Sequence, residues 1–196
     1  MRIAKIFSLI LSIAFLTNCG GGREVTRMDP NVQKDISGRW NDTDSKQVAD
    51  EMISDVLSRP WLTRFTEANP GERPVVIIGE VTNKSHEHIS SETFIKDIER
   101  AFVNSGKVRV VENDDFRTRI RDEQDSQQVN ATEETKKSIA KELGADFMMF
   151  GTINSTVDAY KKEKVVAYKV NLELADLEST EKVWIGDKEI KKYIKN

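Results

Sequence analysis

The one cysteine of the chain, Cys19, occupies a position that predicts a covalent modification. Arg2 and Lys5 precede an uncharged apolar run at residues 6–16, which is too short to span a bilayer but suits the core of a signal peptide. This run leads into Leu-Thr-Asn-Cys at residues 16–19, which resembles a lipobox. Because exported cysteines normally pair in disulfides, a single one is best explained by conversion to a lipid thioether. The pattern therefore predicts a lipoprotein anchored through Cys19.

Two alternatives to the lipid anchor stay open: an ordinary signal peptide with a chance cysteine, or an uncleaved N-terminal anchor. Asn18 departs from the small residue usual before a lipobox cysteine. Gly20, rather than aspartate, follows the cysteine, and by analogy with the sorting rule of enteric bacteria this favours the outer membrane. We expect a signal peptide at 1–18, a polar, flexible, lipidated tether at 19–34 and a globular domain at 35–196.

The two histidines, His86 and His88, are the other residues whose spacing could support a functional site. On a strand they would point the same way and could hold a metal ion, but no second cluster supplies the remaining ligands. Asp42 and Asp44 suggest a calcium loop, yet the glycine and glutamate required later in such a loop are missing. Glycine-rich nucleotide loops and the Gly-x-Ser-x-Gly motif are absent too. We therefore predict no catalytic residue, no metal and no cofactor.

The charge balance argues against nucleic acid as a partner. The formal net charge is -3, and no basic block of five or more residues occurs. A nucleic-acid-binding surface normally needs a basic patch or stripe.

Apolar periodicity predicts the helices that must position any site. The first covers 45–58, is capped by Asp44 with Gln47 three residues on, and stops before Pro60. A second is capped by Ser91 and ends at Gly106. A weaker, charged helix includes Phe116 and Ile120, and a last one runs from Thr132 to Leu143 and Gly144.

Short β-branched or alternating runs predict five strands at 75–83, 108–112, 147–157, 164–174 and 182–190. Because the last three are joined by short connections, they should form an antiparallel meander. The expected fold class is α/β (an α+β sandwich), with a mixed sheet and helices on at least one face.

Several segments resemble the LpoB family of outer-membrane lipoproteins. The resemblance lies mainly in Asp-Ile-Ser-Gly-Arg-Trp-Asn-Asp-Thr-Asp-Ser at 35–45, Gly-Glu-Val-Thr-Asn-Lys-Ser-His-Glu-His-Ile at 79–89 and Gly-Ala-Asp-Phe-Met-Met-Phe-Gly-Thr-Ile at 144–153. It implies a fold like the N-terminal domain of TolB and a protein that performs no chemistry. It also implies a partner, a class A penicillin-binding protein, whose peptidoglycan synthesis it activates through a small regulatory domain.

Two patches are the candidate partner-binding residues. One precedes the first helix and consists of Arg39, Trp40, Asn41 and Asp42. The other is a polar loop after the first strand and consists of Asn83, Lys84, Ser85, His86, Glu87 and His88. Binding residues often lie in such loops. The competing interpretations are structural: Trp40 packs into the core beside a helix cap, and the loop after the first strand is a solvated turn.

Two further functions remain as alternatives. The first is a curli-export-like assembly or secretion subunit, and the second is a small-ligand-binding lipoprotein. The tether of about 15 residues is short for a protein that must reach a synthase across the periplasm, since its root-mean-square span is only about 20–25 Å.

Overall fold

The structure, a computed structural model, describes residues 25–29, 32, 34–111, 118 and 133–195. Lys34–Asn196 form one compact unit, and Met1–Gln33 are assigned to a separate one. The predicted signal peptide, Cys19 and most of the tether lie outside the described residues, so that division of the chain stays a prediction. None of the helices within the described residues could span a bilayer.

A five-stranded mixed sheet organises the compact unit. Its strands are β1 (Val75–Asn83), β2 (Arg109–Val110), β3 (Phe147–Tyr160), β4 (Glu163–Asp176) and β5 (Lys182–Lys195). They lie in the order β2-β1-β3-β4-β5. Strand β1 is parallel to both β2 and β3, whereas β3, β4 and β5 are antiparallel. The predicted mixed sheet and meander are confirmed.

The strand ends differ from the predicted ones. Strand β2 is only two residues long, and β3 and β5 continue to Tyr160 and Lys195 instead of ending at Val157 and Ile190. The alternating apolar signal fades in these extensions because the end of β3 is exposed on both faces and because a lysine, Lys192, takes a core-facing position in β5. Backbone pairing with β4 nevertheless continues along their whole length.

The first helix, α1 (Asp42–Val56), begins earlier than predicted, and Asp44 is not its N-cap. Asn41 is the cap: its side chain accepts a hydrogen bond from the Asp44 backbone N at 3.1 Å. In turn, the Asp44 side chain accepts a hydrogen bond from the Asn41 backbone N at 2.9 Å. This reciprocal capping box satisfies two backbone donors that a helix start leaves unpaired. Asp44 therefore holds the position that the sequence analysis gave to Gln47.

A second helix, α2 (Pro60–Ala68), was not predicted. The first helix ends before Pro60, as predicted, but Pro60 itself lies at the first position of a new helix, where its missing N–H costs no hydrogen bond. Trp61 anchors this helix, because its indole Nε1 donates to the Val56 carbonyl at 2.7 Å and its ring packs edge-on against Phe147.

The remaining described helices are α3 (Ser91–Ser105) and α4 (Glu133–Glu142). Ser90, not Ser91, caps α3 by accepting from the Thr93 backbone N at 3.2 Å. Gly106 ends it in the left-handed conformation, as predicted. The predicted charged helix around Phe116 and Ile120, and the predicted start at Thr132, lie outside the described residues.

Helices cover both faces of the sheet. The larger core buries α1, α2 and α3 against one face, with Ile78, Phe94, Met149 and Tyr168 among its members. A smaller cluster packs α4 on the other face, around Ile77 and Met148. Alternate residues of β1 and β3 therefore enter different cores.

Candidate functional site

Trp40 joins the segment before α1 to the main core. Its ring makes edge contacts with Tyr168 and Phe94, at centroid distances of 5.5 and 6.4 Å. Its indole Nε1 donates a hydrogen bond to Ser45 Oγ at 2.7 Å. Such edge-to-face packing of aromatic rings is favourable beyond the area that it buries. Trp40 is half-buried and acts as a structural anchor for the residues on either side of it.

Those neighbours face outward. Arg39 and Asp42 are exposed, whereas Asn41 is half-buried by its capping role. The Asn41 amide Nδ2 also donates to Asp35 Oδ1 at 2.9 Å. Arg39 and Asp42 are therefore free to reach a partner while the backbone between them is fixed.

Lys192 of β5 lies beneath this segment and holds it to the sheet. Its ammonium donates to Asp35 Oδ1 and Asp44 Oδ2, each at 2.5 Å, and to the Arg39 carbonyl at 2.9 Å. The residue is 7% exposed and Asp44 is 1% exposed. Burial alone lowers the pKa of Lys192, but the hydrogen bonds that its ammonium donates to the two carboxylates outweigh burial and raise this pKa above its ordinary value.

The loop after β1 is held by its own side chains. Asn83 Nδ2 donates to the Glu87 carbonyl at 2.8 Å, and Asn83 Oδ1 accepts from the Ser85 backbone N at 2.9 Å. Ser85 Oγ donates to the Glu87 carbonyl and accepts from the Glu87 backbone N. These bonds leave Lys84, His86 and His88 as the exposed side chains of the loop.

Glu87 brings the two predicted patches together. Its Oε2 accepts a hydrogen bond from the Trp40 backbone N at 3.2 Å, across 47 residues of sequence. Tyr168 lies beneath this contact, fully buried. Burial, followed by the nearby Glu87 carboxylate, raises the pKa of the Tyr168 hydroxyl. The patches therefore form one continuous surface, which we call the joined patch, with Arg39, Asp42, Lys84, His86 and His88 as its exposed members.

His86 of the joined patch contacts Ser155 and Glu87. The His86 backbone N donates to Ser155 Oγ at 3.0 Å, its ring Nδ1 lies 2.5 Å from the same oxygen, and its Nε2 lies 3.5 Å from Glu87 Oε1. Across the described part of the chain, no three His, Cys, Asp or Glu side chains are grouped so as to hold a metal ion.

Sequence reasoning missed Lys192, Asp35 and Ser155 as parts of this site. Lys192 could have been found from the alternation of β5, because Trp184, Ile190 and Ile194 share its face and pack on the core. The prediction ended β5 at Ile190 and so excluded it. No local pattern marks Ser155, which reaches His86 only through the pairing of β1 with β3.

The model of one protein family, described as peptidoglycan-synthase activator LpoB, matches residues 44–190, which is most of the chain. The chain belongs to the LpoB family. Its members are regulatory activators of peptidoglycan synthases rather than enzymes. The match includes the Asn83–His88 loop and most of α1 but begins after Arg39–Asp42.

Solved structures agree on the fold. The C-terminal domain of LpoB from Salmonella enterica superimposes with a TM-score of 0.53 at 15% identity, covering 75% of this chain and 98% of that one. The same domain from Escherichia coli gives 0.52 at 15% identity, with the same coverage. The NMR structure of E. coli LpoB gives 0.50 at 14% identity, covering 91% of this chain and 84% of that one. A comparison with curated proteins gives no match.

Proposed function

We propose that this LpoB-family protein binds a class A penicillin-binding protein through the joined patch and activates its peptidoglycan synthesis. Family membership supports the activity. The observation that carries the choice of surface is the Glu87–Trp40 hydrogen bond, which makes two separate polar segments one rigid face. A surface whose backbone is already fixed loses little conformational entropy on binding, so more of the contact energy appears as affinity.

Activation follows if the joined patch fits the active conformation of the synthase better than the inactive one. A protein that binds both conformations equally shifts nothing, whereas one that prefers the active state raises its population by the ratio of the two affinities. The activator needs no catalytic group of its own for this role.

The proposal is tested by pull-down with the organism's class A synthase and by a glycan polymerisation assay. The variant Arg39→Ala/Lys84→Ala/His88→Ala removes three exposed side chains without removing a hydrogen bond that holds the loops. We expect at least a ten-fold weaker Kd, equivalent to about 1.4 kcal/mol, and a matching loss of stimulation at limiting activator.

The matched control is Lys107→Ala/Lys141→Ala, which truncates exposed side chains outside the joined patch. It should bind and stimulate as the wild type does. Wild-type binding by the triple variant would reject the joined patch, and no binding by the wild-type protein at micromolar concentration would reject the function.

We further propose that the protein acts from the outer membrane, held on its periplasmic side by lipid on Cys19. Two or three acyl chains would make the attachment effectively permanent, because a single chain binds only reversibly. Labelling with palmitate in living cells should mark the wild type and not Cys19→Ala. Label that persists in this variant would contradict the anchor.

A further inference from the structure

The far ends of β3, β4 and β5 meet at one tip of the sheet, far along the strands from the smaller core. Tyr160 pairs with Glu163, and Glu163 pairs with Lys195 on the next strand. Tyr193 pairs with Val165 two residues further along. Since residues two apart point to the same face, Tyr160, Lys191, Tyr193 and Lys195 lie on one face of the sheet.

The β3–β4 turn adds two more cations, Lys161 and Lys162, directly at the tip. We call the set Tyr160, Lys161, Lys162, Lys191, Tyr193 and Lys195 the lysine tip. Its tyrosines are unusually exposed for large apolar rings, at 71% for Tyr160 and 61% for Tyr193. Pairing of distant segments in the sheet thus builds a basic patch that no stretch of the sequence contains.

Two carboxylates near the lysine tip, Glu163 and Glu189, are engaged by it, and a third, Asp158, is exposed on the same face two residues from Tyr160. Glu163 lies 3.8 Å from the Lys195 ammonium and also accepts from the Tyr193 hydroxyl, which raises the pKa of that tyrosine. Glu189 pairs with Lys191 at 3.0 Å. Within the described part of the chain, Lys161 lies over the Tyr160 ring at 5.1 Å, and neither turn lysine has a carboxylate partner. The four lysines of the tip outnumber the three nearby carboxylates, so the tip carries a small excess of positive charge on a protein whose formal net charge is -3.

The chemistry of the lysine tip fits a lipid surface better than a protein surface. Its cations are all lysine, which is depleted at protein interfaces where arginine is enriched. Lysines near an anionic bilayer are attracted without a fixed geometry, and tyrosine rings favour the boundary between headgroups and acyl chains.

We propose that the lysine tip docks on a bilayer surface that contains anionic phospholipids. This proposal does not depend on the proposed synthase-binding surface. If the lipid on Cys19 anchors the chain, the tether would raise the effective concentration of the tip at the membrane, so a weak intrinsic affinity would suffice.

The probe is the chain from residue 19 onward carrying Cys19→Ser, because the leader or a lipid would bind bilayers by itself. Lys34–Asn196 form a compact unit with its own core, so this probe keeps the fold. Co-sedimentation is measured with phosphatidylcholine vesicles, with and without about 30% phosphatidylglycerol. We expect binding to the anionic vesicles only, weakened strongly at about 0.5 M salt because the charges are then screened.

The test variant is Lys161→Gln/Lys162→Gln/Lys195→Gln, and the charge-matched control is Lys46→Gln/Lys107→Gln/Lys141→Gln. The test variant should lose at least about ten-fold in partitioning, while the control should stay within about two-fold of the wild type. A second variant, Tyr160→Ser/Tyr193→Ser, should bind anionic vesicles less tightly than the wild type. This difference from the wild type should persist in added salt, because salt screens charges but not the burial of tyrosine rings.

Three results would overturn the proposal. One is equal binding of the probe to neutral and anionic vesicles, and another is equal loss in the test and control variants. The third is a test variant that sediments with vesicles like the wild type but no longer binds the synthase, which would assign the lysine tip to an acidic protein surface. Because the vesicle assay contains no synthase, a failed synthase pull-down leaves its result unaffected.

Discussion

The Glu87 carboxylate accepts a hydrogen bond from the Trp40 backbone N at 3.2 Å, and this contact ties the loop after β1 to the segment before α1. Each segment is also braced internally, Asn83–His88 by its side-chain bonds and Asn41–Asp44 by its capping box. The Glu87–Trp40 bond is therefore a direct link through which the position of one segment fixes the other.

We expect Glu87→Ala to separate the segments, because the partly buried Trp40 N–H then loses its acceptor at a cost of about 1–3 kcal/mol. Glu87→Gln keeps an acceptor oxygen and should remain near the wild type. Amide hydrogen exchange at Trp40 is the measurement, with faster exchange in the alanine variant. Equal protection of that amide in both variants would contradict the link.

Lys192→Met should destabilise the protein, because the buried Asp44 carboxylate loses its counter-charge. Breaking a buried pair by removing one partner typically costs about 3–5 kcal/mol, measured here as the free energy of unfolding in urea. Lys191→Met, an exposed neighbour, should change this free energy by less than about 0.5 kcal/mol. Adding Asp44→Asn to Lys192→Met should recover part of the loss, since no buried charge is then left unpaired.

Asp55 makes the free energy of unfolding depend on pH in the acid range. The hydrogen bond from Arg59 and then that from Trp184 Nε1, at 2.8 Å, lower its pKa below the ordinary 3.8. A carboxyl whose pKa is lowered by folding stabilises the protein above its unfolded pKa and loses this contribution as pH falls through the folded one. We therefore expect the unfolding free-energy difference between wild type and Asp55→Asn to shrink below about pH 4.

Trp184→Phe is the companion variant to Asp55→Asn. It removes one of the two donors to Asp55 and should reduce this acid dependence. A difference between wild type and Asp55→Asn that stays constant from neutral pH to about pH 2 would refute the assignment.

Gly151 is required by the close pairing of β3 and β4. A Cβ at this position would lie 2.1 Å from the Asn171 carbonyl oxygen and 2.7 Å from a Leu172 methyl carbon, so Gly151→Ala must push the strands apart. We expect a loss of about 1–3 kcal/mol in thermal or urea unfolding. Gly79→Ala is the control in β1, where the nearest atom would be 3.2 Å away, and it should cost clearly less.

Local patterns were sufficient to predict most elements, as β4 and α3 illustrate. Strict alternation from Val166 to Leu174 predicted a strand with one buried face, and Gly106 predicted the end of a helix. Helix starts were less predictable: several polar residues stand near each start, and the backbone geometry selected Asn41 and Ser90 over Asp44 and Ser91. The helix Pro60–Ala68 was missed because Pro60 was interpreted only as a stop.

Side-chain periodicity and turn residues along the chain suffice to predict the α/β class, the mixed sheet with its meander and the two polar segments of the joined patch. Tertiary structure alone decided that Glu87 meets Trp40, that Lys192 clamps Asp35 and Asp44, and that scattered lysines form one tip. These contacts join residues dozens to more than a hundred positions apart, and strand pairing and register bring them together. The pattern of neighbouring residues does not specify that register, because the register is fixed only when the strands pair.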